Sequence, residues 1–278
     1  MFEVGTIMKI FYEFYKDDTL HRSFMFSFGL YGYLDHISGL QENVKNKQIS
    51  FCKISSGSKQ AKNKFKNMYY PPLIHDNPIK NTVSLKKNIL ITGPNAAGKT
   101  TLIKSVIINT IMSQQFACGF YEKGTVTPYQ HIHCYLNIPD TSGRDSLFQA
   151  EARRCKEILD TISEYNEDTH LCIFDELFSG TNPYEAVSSA FAYLEFLSER
   201  SNVNFVLTTH FMNLCKLLER NKCIQNYYMH STTTRDEIKY HYRMKKGISK
   251  IKGGIHVLRD LEYPETIINK SFNIIETL

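Results

Sequence analysis

The run GPNAAGKTT, Gly93 to Thr101, constrains this chain more than any other stretch of it. A short apolar segment, NILIT from Asn88 to Thr92, leads into it. LIKSVIINTIM, with the apolar spacing of a helix, follows. Strand, then GxxxxGK[ST], then helix is the context in which this pattern makes a phosphate loop. Gly93 and Gly98 let the backbone curl so that its N–H groups converge on phosphate oxygens. The helix N-terminus adds a positive partial charge. The expected nucleotide-binding segment is therefore Gly93, Pro94, Asn95, Ala96, Ala97, Gly98, Lys99, Thr100 and Thr101. In it Lys99 reaches the β- and γ-phosphates and the Thr100 hydroxyl ligates Mg²⁺.

A second stretch, LCIFDELFSGTNP from Leu171 to Pro183, ends an apolar run in two adjacent carboxylates. Leu171 to Phe174 read as a buried strand, of the kind that parallel sheets covered on both faces use. Asp175 and Glu176 repel each other and resist desolvation, so their place at a strand end calls for a compensating cation. In a P-loop NTPase the Asp at this point holds Mg²⁺, which assigns Asp175 as a metal ligand beside Thr100. Glu176, one residue on, projects to the other side and is placed to act as general base on a water attacking the γ-phosphate. A third strand, NFVLTT from Asn204 to Thr209, ends in His210. Ligands in open α/β sheets bind at the carboxyl ends of the strands, which makes His210 a candidate γ-phosphate or water sensor.

Upstream of Tyr69 the texture differs. Residues 1–66 read as a helical segment, with Leu30, Leu34, Ile37 and Leu40 at helix-like spacing. The lysine-rich stretch from Lys53 to Asn67 reads as a loop or linker. From residue 67 onward, strands alternate with helices, giving an expected α/β domain over 67–278 with a mainly parallel central sheet. No apolar stretch approaches the roughly 20 residues needed to span a bilayer, and the N-terminus has no secretory pattern. The seven cysteines form no CxxC pair, which suits reduced thiols in a cytosolic or nuclear setting better than a disulfide framework or zinc site. The net charge of +5 permits an anionic partner without demanding one.

Taken together, GPNAAGKTT, SGRDSLFQAEARRCKEIL, FDELFSGTNPYEA and TTHF, in that order, resemble the ATPase domain of the MutS family of DNA mismatch-repair proteins and their relatives. The lead-in PPLIHDNPIKNTVSL and the closing GGIHVLRDLEYPETIINKS are similar to that family as well, and the zone around SFGLYGYLDHISGL weakly resembles the end of its core helices. The resemblance implies a P-loop ATPase of the ABC-like class, ATP and Mg²⁺ as ligands, DNA as partner, and two ATPase domains that complete each other's sites in a homodimer or MutS-like heterodimer. It implies that Ser146 reaches the γ-phosphate of the opposite subunit, with Phe148 and Glu151 matching the F-x-x-E that follows. Gly180, Thr181 and Asn182 match the loop that contacts the partner, and His210 matches the switch histidine. Adenine is expected against the lead-in loop near Ile79 and Asn81, with Tyr240 or Tyr242 beside it. Ala97, Phe178 and Ala186 depart from the family's usual residues. Within 278 residues there is no room for an N-terminal mismatch-reading domain with its Phe-x-Glu wedge or for a long clamp, and the family's C-terminal dimerisation helices are missing. The expectation rests on ATP hydrolysis rather than on mismatch reading.

Other readings were open at this level. An SMC-type or transporter-type ATPase would carry an LSGGQ signature, which the chain lacks. A module that binds nucleotide without hydrolysing it would lack the loop lysine or the Asp-Glu pair, and Lys99, Asp175 and Glu176 are all present. A nucleotide-dependent binder of DNA structure, using the Lys45 to Lys66 face, would lose affinity steeply with added salt.

Overall fold

The computed structural model describes residues 2–55, 63–136, 146–234, 238–251 and 254–277. The chain divides into two compact units at Ile49/Ser50. In the first, α1 (Phe2–Lys16) and α2 (Asp18–Lys45) are separated at Asp17, whose carboxylate accepts the N–H groups of Thr19 and Leu20 and caps α2. The Phe14 ring meets Phe24 edge-on at 4.9 Å. No residue of α2 is buried. Phe24, Phe26, Phe28, Tyr31 and Tyr33 stand exposed alongside the expected row of Leu30, Leu34 and Ile37. Apolar residues distributed around a helix give no single stripe to bury.

The second unit runs β1 (Ser50–Ile54), β2 (Lys64–Met68), β3 (Asn81–Ser84), β4 (Asn88–Thr92), α3 (Lys99–Phe116), β5 (Cys118–Gly119), β6 (Lys123–Val126) and β7 (His131–Tyr135). It continues with α4 (Leu147–Glu164), β8 (His170–Asp175), α5 (Pro183–Ser198), β9 (Val203–Thr209) and α6 (Met212–Leu217). It closes with β10 (Ile224–Thr233), β11 (Ile238–Lys246), α7 (Gly254–Asp260) and α8 (Glu265–Thr277). The expected boundary at 66/67 therefore differs from the observed one, and residues 50–66 are not helical where described. The stretch read as a linker contains β2, in which Phe65 and Met68 are buried while Lys64 and Lys66 face out. The lysines concealed a strand pattern only five residues long. Residues 56–62 of that stretch, and 137–145 with all of SGRD, lie outside the described residues.

Two sheets result. The smaller has the order β3-β2-β6-β1-β5 and the larger β11-β10-β4-β9-β8-β7. In the larger sheet β10, β4, β9, β8 and β7 run parallel, and β11 returns antiparallel at the edge. Both faces are covered, as the continuous apolar runs of β4, β8 and β9 require. Leu171 and Ile173 of β8 join Ile103 and Val106 of α3 and Phe65 of the small sheet in one core. Cys172 and Phe174 point the other way, into a core with Ile158 of α4, Leu194 of α5 and Leu214 of α6. Since successive strand residues face opposite sides, one run of six residues builds both cores. Among the described residues no helix is long and apolar enough to cross a membrane.

Candidate active site

The parallel strands β4, β9 and β8 lie side by side, so their carboxyl ends open on one edge. There β4 ends at Thr92 and the chain turns through Gly93–Gly98 into α3. Gly98 has φ 89°, a left-handed conformation natural to glycine, and a side chain on it would come 3.1 Å from the Tyr242 ring. Ala96 also has a positive φ, of 60°, whereas the Ala97 methyl is buried in the core beneath the loop. Alanine in place of the family's glycine at 97 is thus accommodated by packing. The N-terminus of α3 has no side-chain cap, which leaves its first N–H groups to the loop's interior.

Lys99 is buried, and its ammonium donates to the carbonyls of Gly93 (3.0 Å) and Pro94 (3.3 Å) and to the Asn95 side chain (3.4 Å). Burial lowers its pKa, and the charges of Glu176 and Asp175 pull it back up. The Thr100 hydroxyl donates to Asp175 Oδ2 at 2.9 Å. The Thr208 hydroxyl donates to the other oxygen, Oδ1. Thr208 faces Asp175 directly in the β8–β9 register, so it fixes the carboxylate from the neighbouring strand. A hydroxyl and a carboxylate side by side are hard oxygen donors, the set that Mg²⁺ takes when phosphate oxygens supply further ligands. The residues present fit that ion.

Glu176 adopts φ 55° and donates its backbone N–H to the Thr208 carbonyl at 3.0 Å. One of its carboxylate oxygens lies 3.7 Å from Lys99 Nζ and 3.5 Å from His210 Nδ1. The hydrogen bond with His210 is the main force holding the Glu176 pKa below its ordinary 4.5, with the charges of His210 and Lys99 adding to it against burial. A half-buried carboxylate kept ionised beside the phosphate loop is suited to accepting a proton from water. The structure brings Lys99, Thr100, Asp175, Glu176 and His210 together as the motif spacing predicts.

A cleft of about 1020 Å³ extends from Lys99, Thr100, Asp175 and Glu176 past Ala96 to Ile79 and Tyr242. Asn81 lies there too, but its side chain is engaged. It donates to the Tyr242 carbonyl at 2.9 Å and accepts from Met244 N–H at 2.7 Å. Asn81 thus ties β3 to β11 and sets Tyr242, which has φ 54°, against the phosphate loop. Ile79 and Tyr242 are half-exposed on the cleft walls, and the Tyr240 ring packs 6.2 Å from that of Tyr242. Ser146 caps α4 in a reciprocal arrangement: its hydroxyl oxygen accepts Gln149 N–H at 3.3 Å, and the Gln149 side chain accepts Ser146 N–H at 2.9 Å. Sequence reasoning missed two residues of the site. Thr208 was read only as part of a strand, and Glu151, matched to a motif without a role, is buried against the loop after Glu176. A register between β8 and β9 would have found the first; no short-range signal marks the second.

A family model described as MutS domain V matches residues 89–278. Among curated proteins, the DNA mismatch repair protein MutS of Persephonella marina (strain DSM 14350 / EX-H1) is 27% identical over 216 residues, 76% of this chain and 24% of that protein. The protein of the same name from Staphylococcus epidermidis (strain ATCC 12228 / FDA PCI 1200) is 28% identical over 184 residues, 66% of this chain and 20% of that one. That of Prochlorococcus marinus (strain MIT 9312) is 26% identical over 256 residues, covering 88% and 28% respectively. The chain spans about a quarter of the length of the curated relatives it matches.

Proposed function

Since the chain belongs to the MutS family, we propose that it is an ATPase of the ABC-like class that binds ATP with Mg²⁺ and hydrolyses it in work on DNA. The observation that carries this reading is the meeting of Thr100 and Asp175 at 2.9 Å, with Glu176 held between Lys99 and His210 at the same sheet edge.

In this reading the inward N–H groups of the loop and the Lys99 ammonium take up phosphate charge, Lys99 exchanging its carbonyl partners for phosphate oxygens. Thr100 and Asp175 would hold Mg²⁺, which would supply neutralisation of phosphate charge there. Glu176 accepts the proton of the attacking water, and His210 orients its carboxylate. Ile79 and Tyr242 give adenine two apolar walls, and Asn81 positions Tyr242 instead of reading the base. Ser146 caps its helix through its oxygen alone, so its hydroxyl proton is free to donate to a γ-phosphate across a dimer. The loop at Gly180, Thr181 and Asn182 would face the partner there. Homodimer or MutS-like heterodimer, DNA as ligand in mismatch repair or a recombination-related task, and a cytosolic or nuclear setting all follow from the family reading. The relatives' names support the DNA role, and seven free cysteines support a reducing compartment.

The test is steady-state ATP hydrolysis against protein concentration, with mismatched, branched and perfect duplex DNA. Activity rising more steeply than linearly and changed by one DNA form is the expected result. Activity linear in concentration and indifferent to DNA would remove the composite site and the DNA role while keeping the ATPase. No Mg²⁺-dependent turnover in any condition would overturn the reading.

A further inference from the structure

The loop that carries Glu176 is held in an unfavourable shape. Glu176 and Phe178 both have left-handed φ, 55° and 56°, a conformation that side-chain-bearing residues keep only where their surroundings enforce it. Beside the Glu176 N–H bond to the Thr208 carbonyl, three of the contacts that hold the loop converge on one residue. Glu151, in the second turn of α4 and 2% exposed, accepts three hydrogen bonds from the residues that follow. Its Oε1 takes the Ser179 N–H at 3.1 Å and the Ser179 hydroxyl at 2.9 Å. Its Oε2 takes the Gly180 N–H at 3.1 Å. Gly180 lies flush on the helix: a Cβ there would come within 2.6 Å of Phe148 N and 2.8 Å of Leu147 Cγ. The Phe148 and Phe178 rings pack at 5.8 Å.

We propose that Glu151 is a positioning residue for hydrolysis, whose carboxylate clamps Ser179–Gly180 to α4 and thereby fixes Glu176 toward Lys99 and His210. The inference rests on the reading of Glu176 as the base, and it adds a residue that acts through another, by holding the loop that carries Glu176. A buried carboxylate is suited to this because it is acceptor-only and faces three donors. An amide in its place turns an N–H₂ toward N–H donors and leaves buried groups unmatched. Glu151 and Ser179 stand on the wall of the same cleft as the phosphate loop, but the carboxylate is taken up by its three bonds to Ser179 and Gly180, so its loss is expected to act on turnover through Glu176 more than on nucleotide affinity.

The experiment compares the full chain with Glu151→Gln and Ser179→Ala. Three quantities are read in each: kcat for ATP, the Kd of Mg·ADP by titration, and hydrogen exchange of the 176–182 backbone. For Glu151→Gln the expected result is a kcat at least tenfold lower, a Kd within threefold of the parent, and faster exchange at Ser179 and Gly180. Ser179→Ala, which removes one of three bonds at an exposed position, is expected to lower kcat severalfold with the same Kd. It carries the test if Glu151→Gln does not fold. An unchanged kcat with a folded variant, unchanged exchange at residues 179 and 180, or a Kd that weakens in proportion to kcat would each overturn the proposal. A parent protein without turnover would instead overturn the ATPase reading on which the proposal stands.

Discussion

Glu176 and its neighbours show how much of the chemistry resides in single side chains. The His210 hydrogen bond is the largest influence keeping the Glu176 carboxylate below its ordinary 4.5. Its base form therefore persists as pH falls through the usual carboxylate range. His210→Ala is expected to move the acid limb of kcat/KM upward toward 4.5, visible in a pH–rate profile at saturating Mg²⁺. An unmoved limb would separate His210 from the base. Thr208 makes a different prediction. Its hydroxyl is one of two that hold Asp175, and hydrogen bonds to charged groups are worth about 1.5–3 kcal/mol. Thr208→Val, nearly the same shape, should raise the Mg²⁺ concentration for half-maximal turnover by roughly tenfold, with little effect on metal-free nucleotide binding. Equal Mg²⁺ dependence in both proteins would mean that Thr100 alone orients the carboxylate.

At the scale of elements, a stack of histidines joins β7, β8 and the turn after α4. His170 Nε2–H must donate to the Tyr165 carbonyl at 2.9 Å, because a carbonyl only accepts. Its Nδ1 is then the acceptor for His133 Nε2–H at 3.1 Å, while His131 pairs with Asp168 at 2.9 Å. Burial first, then the nearness of His170, His131 and Arg154, pushes His133 down to about 4, and burial lowers His170 as well. The unfolded chain therefore binds more protons than the folded one between about 6.5 and about 4. The stability contributed by the neutral imidazoles is complete above that window and is lost as pH falls through it. Urea midpoints at pH 7 and pH 5 should drop more for the parent than for His133→Gln, and parallel drops would exclude the stack. None of this pairing is legible in the sequence, where residues 131 and 133 stand on one strand and residue 170 on the next. What was legible is the strands themselves. β4, β8 and β9 are continuous apolar runs with turn signals behind them, and the glycines and lysine of the phosphate loop carry their own geometry. Registers were not, and with them went Thr208 and the use of Asn81 as a tie between strands. β2 was lost because Lys64 and Lys66 outweighed Phe65 and Met68 in so short a segment.

For the whole molecule, the site is the point where nucleotide binding must show as stability, since the loop, β8 and β9 contribute to it only when the second unit is folded. At a hundred times its Kd, Mg·ATP is expected to add about 2.7 kcal/mol to unfolding, and Lys99→Ala to abolish that gain in a denaturant titration. A gain that survives Lys99→Ala would place the nucleotide elsewhere. The sheet order β4-β9-β8 has another consequence, this one for synthesis. The strand that separates the phosphate loop from Asp175 is the last of the three to leave the ribosome. At roughly 5–20 residues per second, β4 waits several seconds for its neighbour, and β8 emerges before the strand it must pair with. During that interval two strands with apolar centres, β4 and β8, each present an open edge, the condition under which nascent chains are prone to mispair. This chain is therefore expected to depend on chaperone cover in the middle of translation, and to acquire its nucleotide site abruptly once β9 slides home.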